Sequence, residues 1–399
     1  MKVCFETFGC RLNRSEALQQ EAEYVAMGWT TTESHADADL IVIRGCSVTS
    51  RAQSDCEHVI DHIRRKYPNK HIVVEGCLPE AKLPQPFRPK AKPGLDALPS
   101  KTARAYLKVQ DGCSCGCSFC IVPQFRGRPV SVPITELTDR ARRFIDAGYR
   151  EIVVTGCNLA LYSDISAKLP ELVEALAEIG AENASDPCRI RLGSVPPGHA
   201  ADGVIEAMAR HANICRYLHV PVQSGSNSVL SAMKRPYTVR SVEELATLAR
   251  EKVPDIALAC DLMTGFPRES DMDAIATLGL LRRVRFSKAH IFPYSERPGT
   301  AAEKMYPSVP RGIRRLRAHD LAAEADAERV RFARSFIGKT VETVIEDEKY
   351  ASGWSSQYLW CVANPDGGAD ARAMSAKRRS LAKMRVTSVS GHVLVGNIV

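Results

Sequence analysis

The sequence predicts an α/β protein in three parts: a small parallel α/β domain, an open barrel of six strand–helix units, and a small β-barrel at the carboxyl end. Two patterns support this prediction. Strand-length apolar runs alternate with amphipathic helical stretches through most of the first 336 residues, and this alternation is typical of parallel sheets with right-handed crossovers. The remaining residues form short β-rich runs separated by glycine turns, which indicate a small barrel.

Composition sets the broad class of the protein. The hydrophobic content of 45% and charged content of 25% are ordinary for a globular chain of 399 residues. No run of 18 apolar residues occurs, so we expect no membrane span, and the start MKVCFETFGC favours a strand over a signal peptide. Fourteen cysteines without a secretion signal favour a reducing cytoplasm, where thiols serve metals and catalysis. The net charge of +8 is compatible with a polyanionic partner.

Residues 1–80 are predicted to form the first domain. Its predicted strands are Lys2–Phe8, Asp39–Ile43 and His71–Val74, and its helices are Asn13–Met27, with Asn13 and Ser15 as candidate caps, and Ser50–Lys66. Cys10, Cys46 and Cys77 each lie within three residues of a strand's carboxyl end, and glycine precedes each one. Because ligand sites in parallel sheets lie at these ends, we expect the three thiols to meet at one edge. Three unrelated buried cysteines are the alternative.

A proline-rich basic linker is predicted for residues 81–104. The surrounding stretch Leu78–Arg104 contains six prolines and carries six Lys or Arg against two acids. Such a composition is typical of an extended connecting segment.

Residues 105–325 are predicted to form the open (βα)6 barrel, which is a partial TIM-like barrel. Its predicted strands are Ala105–Val109, Glu151–Thr155, Arg189–Leu192, Tyr217–Val222, Ile256–Met263 and Lys288–Phe292. Its predicted helices are Ile134–Ala147, Pro170–Ile179, Gly203–His211, Ser241–Lys252 and Asp271–Val284. Six units instead of eight leave a gap through which a large substrate can enter, and the loops at the carboxyl ends of the strands should carry function.

A cysteine array follows the first barrel strand directly. Cys113, Cys117 and Cys120 form a CxxxCxxC motif, with Cys115 inside it. A cubane 4Fe–4S cluster needs four ligands, so three cysteines leave one iron open for chemistry. A structural zinc site would need a second pair of Cys or His ligands, and none follows here. We interpret Cys115 as a bystander, with competition for the metal as the alternative.

The array and its surroundings resemble the radical S-adenosylmethionine superfamily, in which the open iron chelates S-adenosylmethionine and reduction yields a 5′-deoxyadenosyl radical. The segments IVPQFRGRPVS, TFGCRLNRSE, HVPVQSG, LMTGFPRES and FPYSERPGTAA resemble the methylthiotransferases of that superfamily. The resemblance implies a catalytic cluster on Cys113, Cys117 and Cys120. It also implies S-adenosylmethionine contacts from Phe119, Gln223, Ser224, Gly225, Arg235, Gly265 and Phe266.

The same resemblance implies a second 4Fe–4S cluster on Cys10, Cys46 and Cys77. Two features depart from the family's pattern. Arg44-Gly45-Cys46 stands where the family has Asn-Thr-Cys, and only 35 residues separate Cys77 from Cys113. The first domain is therefore expected to be shortened, which bears on how well it holds its cluster.

The carboxyl-terminal part begins with a basic helical stretch, Ile313–Phe336, which is a solvated face or an RNA-steering surface. Residues 336–399 are predicted to form a small β-barrel that resembles the TRAM domain of RNA-modifying enzymes. Trp354, Tyr358 and Trp360 are candidates for stacking on bases, with a place in the core as the alternative. Candidate phosphate contacts are Lys377, Arg378, Arg379, Lys383 and Arg385.

The resemblance implies a cytoplasmic, monomeric tRNA methylthiotransferase that acts on the anticodon stem-loop with a reductant such as flavodoxin or ferredoxin. The start FETFGCRLN and the segment RPGTAA favour N6-threonylcarbamoyladenosine at position 37 as its substrate, modified at carbon 2. The alternatives are isopentenyladenosine in tRNA, an aspartate of a ribosomal protein, and a non-catalytic iron–sulfur protein that binds RNA.

Overall fold

The computed structural model describes residues 1–79, 102–364 and 376–399, so the predicted linker lies almost wholly outside the described residues. The first domain is a four-stranded parallel sheet in the order β2-β1-β3-β4. Its elements are β1 (Lys2–Thr7), α1 (Arg11–Ala26), β2 (Thr30–Thr31), β3 (Leu40–Gly45), α2 (Ser50–Lys66) and β4 (His71–Gly76). Apolar residues cover both faces of β3, as its hydrophobic run predicts: Leu40 and Val42 pack with Tyr24, and Ile41 and Ile43 pack with Ile60.

The predicted caps of α1 are wrong. This helix begins at Arg11, with Cys10 as its N-cap residue. Asn13 lies inside the helix and is fully buried. Its side-chain amide donates hydrogen bonds to the carbonyls of Phe8 and Gly45, at 3.0 and 2.7 Å. The loops before the cysteines contain buried backbone acceptors, and Asn13 satisfies two of them.

The second part is the predicted open (βα)6 barrel. Its six parallel strands are β5 (Ala105–Asp111), β7 (Glu151–Gly156), β8 (Arg189–Leu192), β9 (Tyr217–Gln223), β10 (Ala257–Thr264) and β11 (Lys288–Pro293). They form two sheets, and isolated parallel bridges such as Ser194–His219 connect β8 to β9. A short strand, β6 (Val130–Ser131), pairs antiparallel with β5.

Helices accompany the strands of this barrel, and all except α3 bury apolar residues. They are α3 (Val122–Arg126), α4 (Ile134–Asp146), α5 (Leu169–Ala181), α6 (His199–Arg210), α7 (Asn227–Ala232), α8 (Val239–Lys252), α9 (Asp271–Val284) and α10 (Arg311–Arg334). In α4, for example, Leu137, Ala141 and Phe144 are spaced at helical intervals and join the core beside Leu107 and Val109. No described helix has the length and apolar character needed to cross a membrane.

The basic helix α10 is the helical half of the sixth barrel unit, since it packs on β11 and β10. Two of the arginines at its start are structural. Arg314 is buried and donates hydrogen bonds to the carbonyls of Val309 and Tyr294, and Arg317 pairs with Glu269 at 2.7 Å. The interpretation of this stretch as a solvated or RNA-steering face is therefore wrong for Arg314.

The third part is a closed five-stranded barrel in the order β12-β13-β14-β16-β15, which confirms the predicted small β-barrel. Its strands are β12 (Thr340–Asp347), β13 (Ser352–Ser355), β14 (Trp360–Ala363), β15 (Leu381–Ser390) and β16 (Val393–Ile398). Its core includes Val341, Cys361 and Met384, together with Phe336, which follows α10 by two residues.

Buried charges attach the small barrel to the open one. Glu151, Arg189 and Arg191 are almost wholly inaccessible, and Nε of each arginine donates to the Glu151 carboxylate at 2.7 Å. The remaining guanidinium nitrogens donate to carbonyls of the small barrel, those of Glu342 and Trp354 from Arg189 and that of Ser355 from Arg191. These three residues form the junction knot, which holds the two barrels in one fixed arrangement.

Candidate active site

The cysteine loop begins where β5 ends, and a glycine makes its first turn. Gly112 has a φ of +71°, and a Cβ there would lie 2.0 Å from the carbonyl oxygen of Arg128. Only glycine therefore allows the chain to fold back on itself at this point. The backbone N–H of Cys113 donates to the Gly127 carbonyl at 3.1 Å, and that of Cys120 donates to Cys117 at 3.1 Å.

These turns bring the thiols of the loop together. The Cys115 thiol donates a hydrogen bond to Cys113 and lowers the pKa of Cys113 to about 6. Burial, together with the nearby sulfurs of Cys117 and Cys113, raises the pKa of Cys120 to about 11. A metal centre would stabilise such crowded thiolates, so the donor set fits an iron–sulfur cluster.

Two polar side chains, from the loops that follow β7 and α7, reach sulfurs of this group. Arg235 Nη1 donates to Cys117 Sγ at 3.1 Å, and Asn158 Nδ2 donates to Cys115 Sγ at 3.1 Å. A cation beside sulfur favours the thiolate form that binds metal. Asn158 holds Cys115 in the loop, and Arg235 holds Cys117 in the same way.

A second group of thiols lies at the edge of the first domain. Gly9 has a φ of +89°, and a Cβ there would lie only 2.4 Å from Cys46 Cβ. The loop before Cys10 therefore approaches Cys46 as closely as a backbone can. Burial raises the pKa of Cys46 to about 11, and the neighbouring sulfurs of Cys10 and Cys77 add to this effect. The structure thus brings together the three cysteines that the strand–glycine–cysteine pattern predicts to converge.

Arg126 joins the segment that follows the cysteine loop to the first domain. It lies in α3, directly after the cysteine loop, and its Nε donates to Cys77 Sγ at 3.1 Å. Its other nitrogens donate to Glu16 at 2.9 Å, Asn13 at 2.7 Å and Asp111 at 3.1 Å. Sequence reasoning missed this residue, although it stands in the quoted segment IVPQFRGRPVS. Its position there after the array was the available signal.

The residues predicted to contact S-adenosylmethionine lie either in or beside the cysteine loop or at the carboxyl ends of β9 and β10. Phe119 packs on a cluster that contains fully buried Phe266, and Arg235 contacts the cysteine loop. Gln223 is half-buried at the end of β9, with a φ of +72°. Ser224, Gly225 and Gly265 have close protein neighbours: the N–H of Gly225 donates to Thr277 Oγ1 at 3.0 Å, and a Cβ on Gly265 would meet the side chain of Arg314.

The barrel interior carries a polar row that sequence reasoning missed. His219 Nε2 lies 2.9 Å from Asp261 Oδ2, and the Tyr217 hydroxyl lies 3.2 Å from His219 Nδ1. The ring of His290 lies 5.6 Å from that of His219. Burial, followed by the charge of Lys288, lowers the pKa of His290 to about 4, so that this ring is neutral at pH 7. The alternation of polar residues along these strands was the available signal.

A cavity of about 480 Å³ lies where the first domain, the start of β5 and the small barrel meet. Its wall includes Cys10, Arg11, Arg14, Arg104, Trp354 and Tyr358. Trp354 and Tyr358 stack with ring centroids 4.5 Å apart, and Trp360 meets Trp354 edge-on at 5.0 Å. All three aromatic residues are half-buried. We name this space the junction cavity.

One predicted phosphate contact is engaged inside the protein. The guanidinium of Arg379 lies 3.9 Å from the centre of the Tyr149 ring and donates to the Ala147 carbonyl at 3.1 Å. Lys377, Arg378, Lys383 and Arg385 are exposed on the small barrel. Lys383 and Arg385 alternate along β15, so that they share one face of it.

The open barrel and its cysteine loop define a radical S-adenosylmethionine enzyme. Residues 107–281 match the Radical SAM superfamily, and residues 2–92 match the Uncharacterized protein family UPF0004. The structure of the radical S-adenosylmethionine methyltransferase TsrM from Kitasatospora setae shares this fold, with a TM-score of 0.55 over 76% of this chain and 77% of that chain, at 14% identity.

Proteins that are similar in sequence along nearly the whole chain define the class of enzyme more narrowly. The threonylcarbamoyladenosine tRNA methylthiotransferase MtaB of Chlamydia pneumoniae is 31% identical, over 98% of this chain and 96% of that protein. The tRNA-2-methylthio-N(6)-dimethylallyladenosine synthase of Chlorobium limicola is 30% identical, over 88% of each chain. The chain belongs to the radical S-adenosylmethionine methylthiotransferase family. Membership implies a 4Fe–4S cluster and S-adenosylmethionine.

Proposed function

We propose that this protein is a tRNA methylthiotransferase that inserts a methylthio group at carbon 2 of N6-threonylcarbamoyladenosine at position 37, beside the anticodon. The observation that carries the proposal is the contact of Arg126, which lies just after the cysteine loop, with Cys77 of the first domain at 3.1 Å, because it sets the two thiol groups beside one another. One group suits a radical-generating cluster and the other a cluster that presents sulfur. The relatives named for threonylcarbamoyladenosine support the substrate.

In this proposal Cys113, Cys117 and Cys120 hold the catalytic 4Fe–4S cluster, and Cys10, Cys46 and Cys77 hold a second one. The bound cofactors supply a radical, which an unactivated aromatic C–H bond requires, together with the sulfur and the methyl group. The chain's own residues position these groups. Arg235 balances negative charge at Cys117, and Arg126 fixes the first domain against the cysteine loop.

Exposure and packing support the same division of roles. Cys10 is exposed while Cys46 and Cys77 are buried, so a substrate would approach the second thiol group from the Cys10 side. The packing of Phe119 against the Phe266 cluster would keep water away from the reacting centre. S-adenosylmethionine would lie near these two residues, near Gln223, Ser224, Gly225 and Gly265, and near Arg235.

The anticodon stem-loop of tRNA would bind across the small barrel. Lys383 and Arg385 form a cationic face there, and cationic faces attract the phosphate backbone. We expect a monomer in the cytoplasm that receives electrons from a reductant such as flavodoxin or ferredoxin.

Methylthiolation of isopentenyladenosine is the second candidate. It is favoured by relatives named for dimethylallyladenosine, whose identity of about 30% equals that of the threonylcarbamoyladenosine relatives. The two candidates share every cysteine and differ only in the group on the adenine N6.

The test is mass spectrometry of nucleosides from the tRNA of a host that lacks its own methylthiotransferases, with and without this gene. We expect a 2-methylthio adduct of threonylcarbamoyladenosine. The control is the triple variant of Cys113, Cys117 and Cys120 to alanine, which should give no adduct. An adduct on isopentenyladenosine alone would establish the second candidate instead. No adduct on any nucleoside, with soluble cluster-loaded protein present, would refute the tRNA assignment and favour a ribosomal-protein aspartate or a non-catalytic RNA-binding role.

A further inference from the structure

We propose that the junction cavity is a specificity subsite that binds the carboxylate of the group on the substrate's N6 through Arg11 and Arg14. This inference rests on the proposed function and deepens it, because it assigns the choice between an anionic and an apolar adenine substituent to named side chains. The chemistry it requires is a pair of available cations and a flat apolar wall beside the thiols of the first domain.

The position of the cavity fits this role. Cys10 lines it, together with Arg11 from the first turn of α1. A nucleobase presented to the second thiol group would therefore carry its N6 substituent within reach of the cavity. At about 480 Å³, the cavity has the size of small-molecule sites in proteins.

The charges that line the cavity are unbalanced. Among the described residues, its wall contains four arginines, at positions 11, 14, 104 and 378, and a single acid, Glu346. Glu346 already pairs with Arg104 at 2.6 Å. Within the described ranges no carboxylate pairs with Arg11 or Arg14, and the Arg11 guanidinium instead lies 4.8 Å from the centre of the Tyr358 ring. Two guanidinium groups are thus available for an anion, and the guanidinium fork matches the two oxygens of a carboxylate.

The aromatic wall supplies the second part of the recognition. Trp354 and Tyr358 stack as one flat surface next to Arg11. Planar and apolar parts of a nucleoside pack on such a surface, while its anionic end meets the arginines. The threonylcarbamoyl group ends in a carboxylate, and the dimethylallyl group has no charge. Arginines without a carboxylate partner therefore favour the first group over the second.

An RNA phosphate offers the same anionic chemistry, and the experiment separates the two sources. We would measure the binding of cluster-loaded protein to three synthetic anticodon stem-loops of one sequence. These carry threonylcarbamoyladenosine, isopentenyladenosine or unmodified adenosine at position 37. The double variant Arg11→Gln, Arg14→Gln is compared with the wild type, and Arg240→Gln, which changes an exposed arginine paired with Glu244, is the matched control.

For the wild type we expect the tightest binding to the threonylcarbamoyl stem-loop. The double variant should lose at least about tenfold in affinity for that stem-loop, since it loses charge-assisted hydrogen bonds, and should bind the other two within about twofold of wild type. A variant with Arg11→Gln and Arg14→Lys, which keeps one cation, should retain part of the preference for the threonylcarbamoyl stem-loop. An equal loss for all three stem-loops would assign the arginines to backbone phosphate and overturn the inference. No loss for any stem-loop would overturn it as well.

Failure of the proposed function gives a different result. A wild-type protein that binds none of the stem-loops, and forms no adduct in the nucleoside experiment, would refute the function and with it the subsite. A wild type that modifies threonylcarbamoyladenosine while the double variant keeps its full binding preference would refute the subsite alone. Thermal unfolding of each variant identifies any loss that arises from misfolding.

Discussion

Replacing Glu151 with glutamine should detach the small barrel from the open one. Glu151 and Arg191 are fully buried and Arg189 is 1% exposed. The substitution keeps the shape of the side chain but removes the carboxylate that lies closest to both buried guanidinium groups, so that Arg189 retains the more distant Glu342, at 3.8 Å. Removing one partner of a buried ion pair costs about 3–5 kcal/mol. For a domain of this size, such a loss lowers the unfolding temperature by about 10 °C.

The assay is thermal and urea unfolding of Glu151→Gln beside wild type and a surface control, with limited proteolysis to detect release of the small barrel. The control is Glu243→Gln, which breaks the exposed pair with Arg283 and should cost less than about 1 kcal/mol. If Glu151→Gln unfolds within about 1 kcal/mol of Glu243→Gln, the junction knot does not attach the small barrel as argued.

The same pair of proteins gives a pH test. Burial by itself raises the pKa of Glu151, but the charges of Arg191 and Arg189 outweigh burial and hold that pKa well below its ordinary value. A carboxylate with a lowered folded-state pKa contributes stability that is present above its unfolded pKa and is lost as the pH falls through the folded one. The gap in stability between wild type and Glu151→Gln should therefore be full at pH 7 and shrink below about pH 4.5.

Three further predictions concern the thiol groups and the barrel interior. Arg126→Gln removes the contacts to Cys77 and Glu16, so the iron bound after anaerobic reconstitution should fall from about eight per chain towards about four. The control Arg128→Gln, which changes an exposed neighbour, should keep the wild-type iron content. Equal iron in both variants would contradict a role for Arg126 in holding the first domain's site. Cys115→Ala and Cys10→Ala should both retain cleavage of S-adenosylmethionine to 5′-deoxyadenosine, whereas Cys113→Ala should abolish it. Cys10→Ala should nevertheless stop sulfur insertion. Loss of cleavage in the Cys115 variant would show that this thiol is a cluster ligand. His290 is half-buried, and its lowered pKa of about 4 keeps the ring neutral at pH 7. Wild-type stability should therefore decline as the pH falls from about 6.5 to about 4, and His290→Gln should flatten that decline in urea titrations. An unchanged slope would show that another group is responsible.

The fold could be predicted because each element is encoded locally. Apolar runs mark the strands, helical spacing marks the covering helices, and glycine before Cys10, Cys46 and Cys77 marks the strand ends. The cysteine loop was predictable for the same reason, since Cys113 to Cys120 are neighbours in the chain.

Contacts between distant segments could not be predicted in this way. Arg126 and Glu16 are 110 positions apart, and neither local sequence predicts that the two side chains pair. The failure at Asn13 has a related cause: its amide is attractive as a helix cap, but buried carbonyls at Phe8 and Gly45 compete for it. The polar row of His219, Asp261 and His290 joins three strands and appears only when the barrel is assembled.

The junction knot has a consequence for how an RNA substrate would be selected. Because buried charges fix the small barrel on the open one, Lys383 and Arg385 stand at an unvarying distance from the thiols of the cysteine loop. If an anticodon arm binds to those cations, the reacting base would be selected by its distance from the bound phosphates. The nucleotide would then be chosen by its position along the RNA and not by the identity of the bases between.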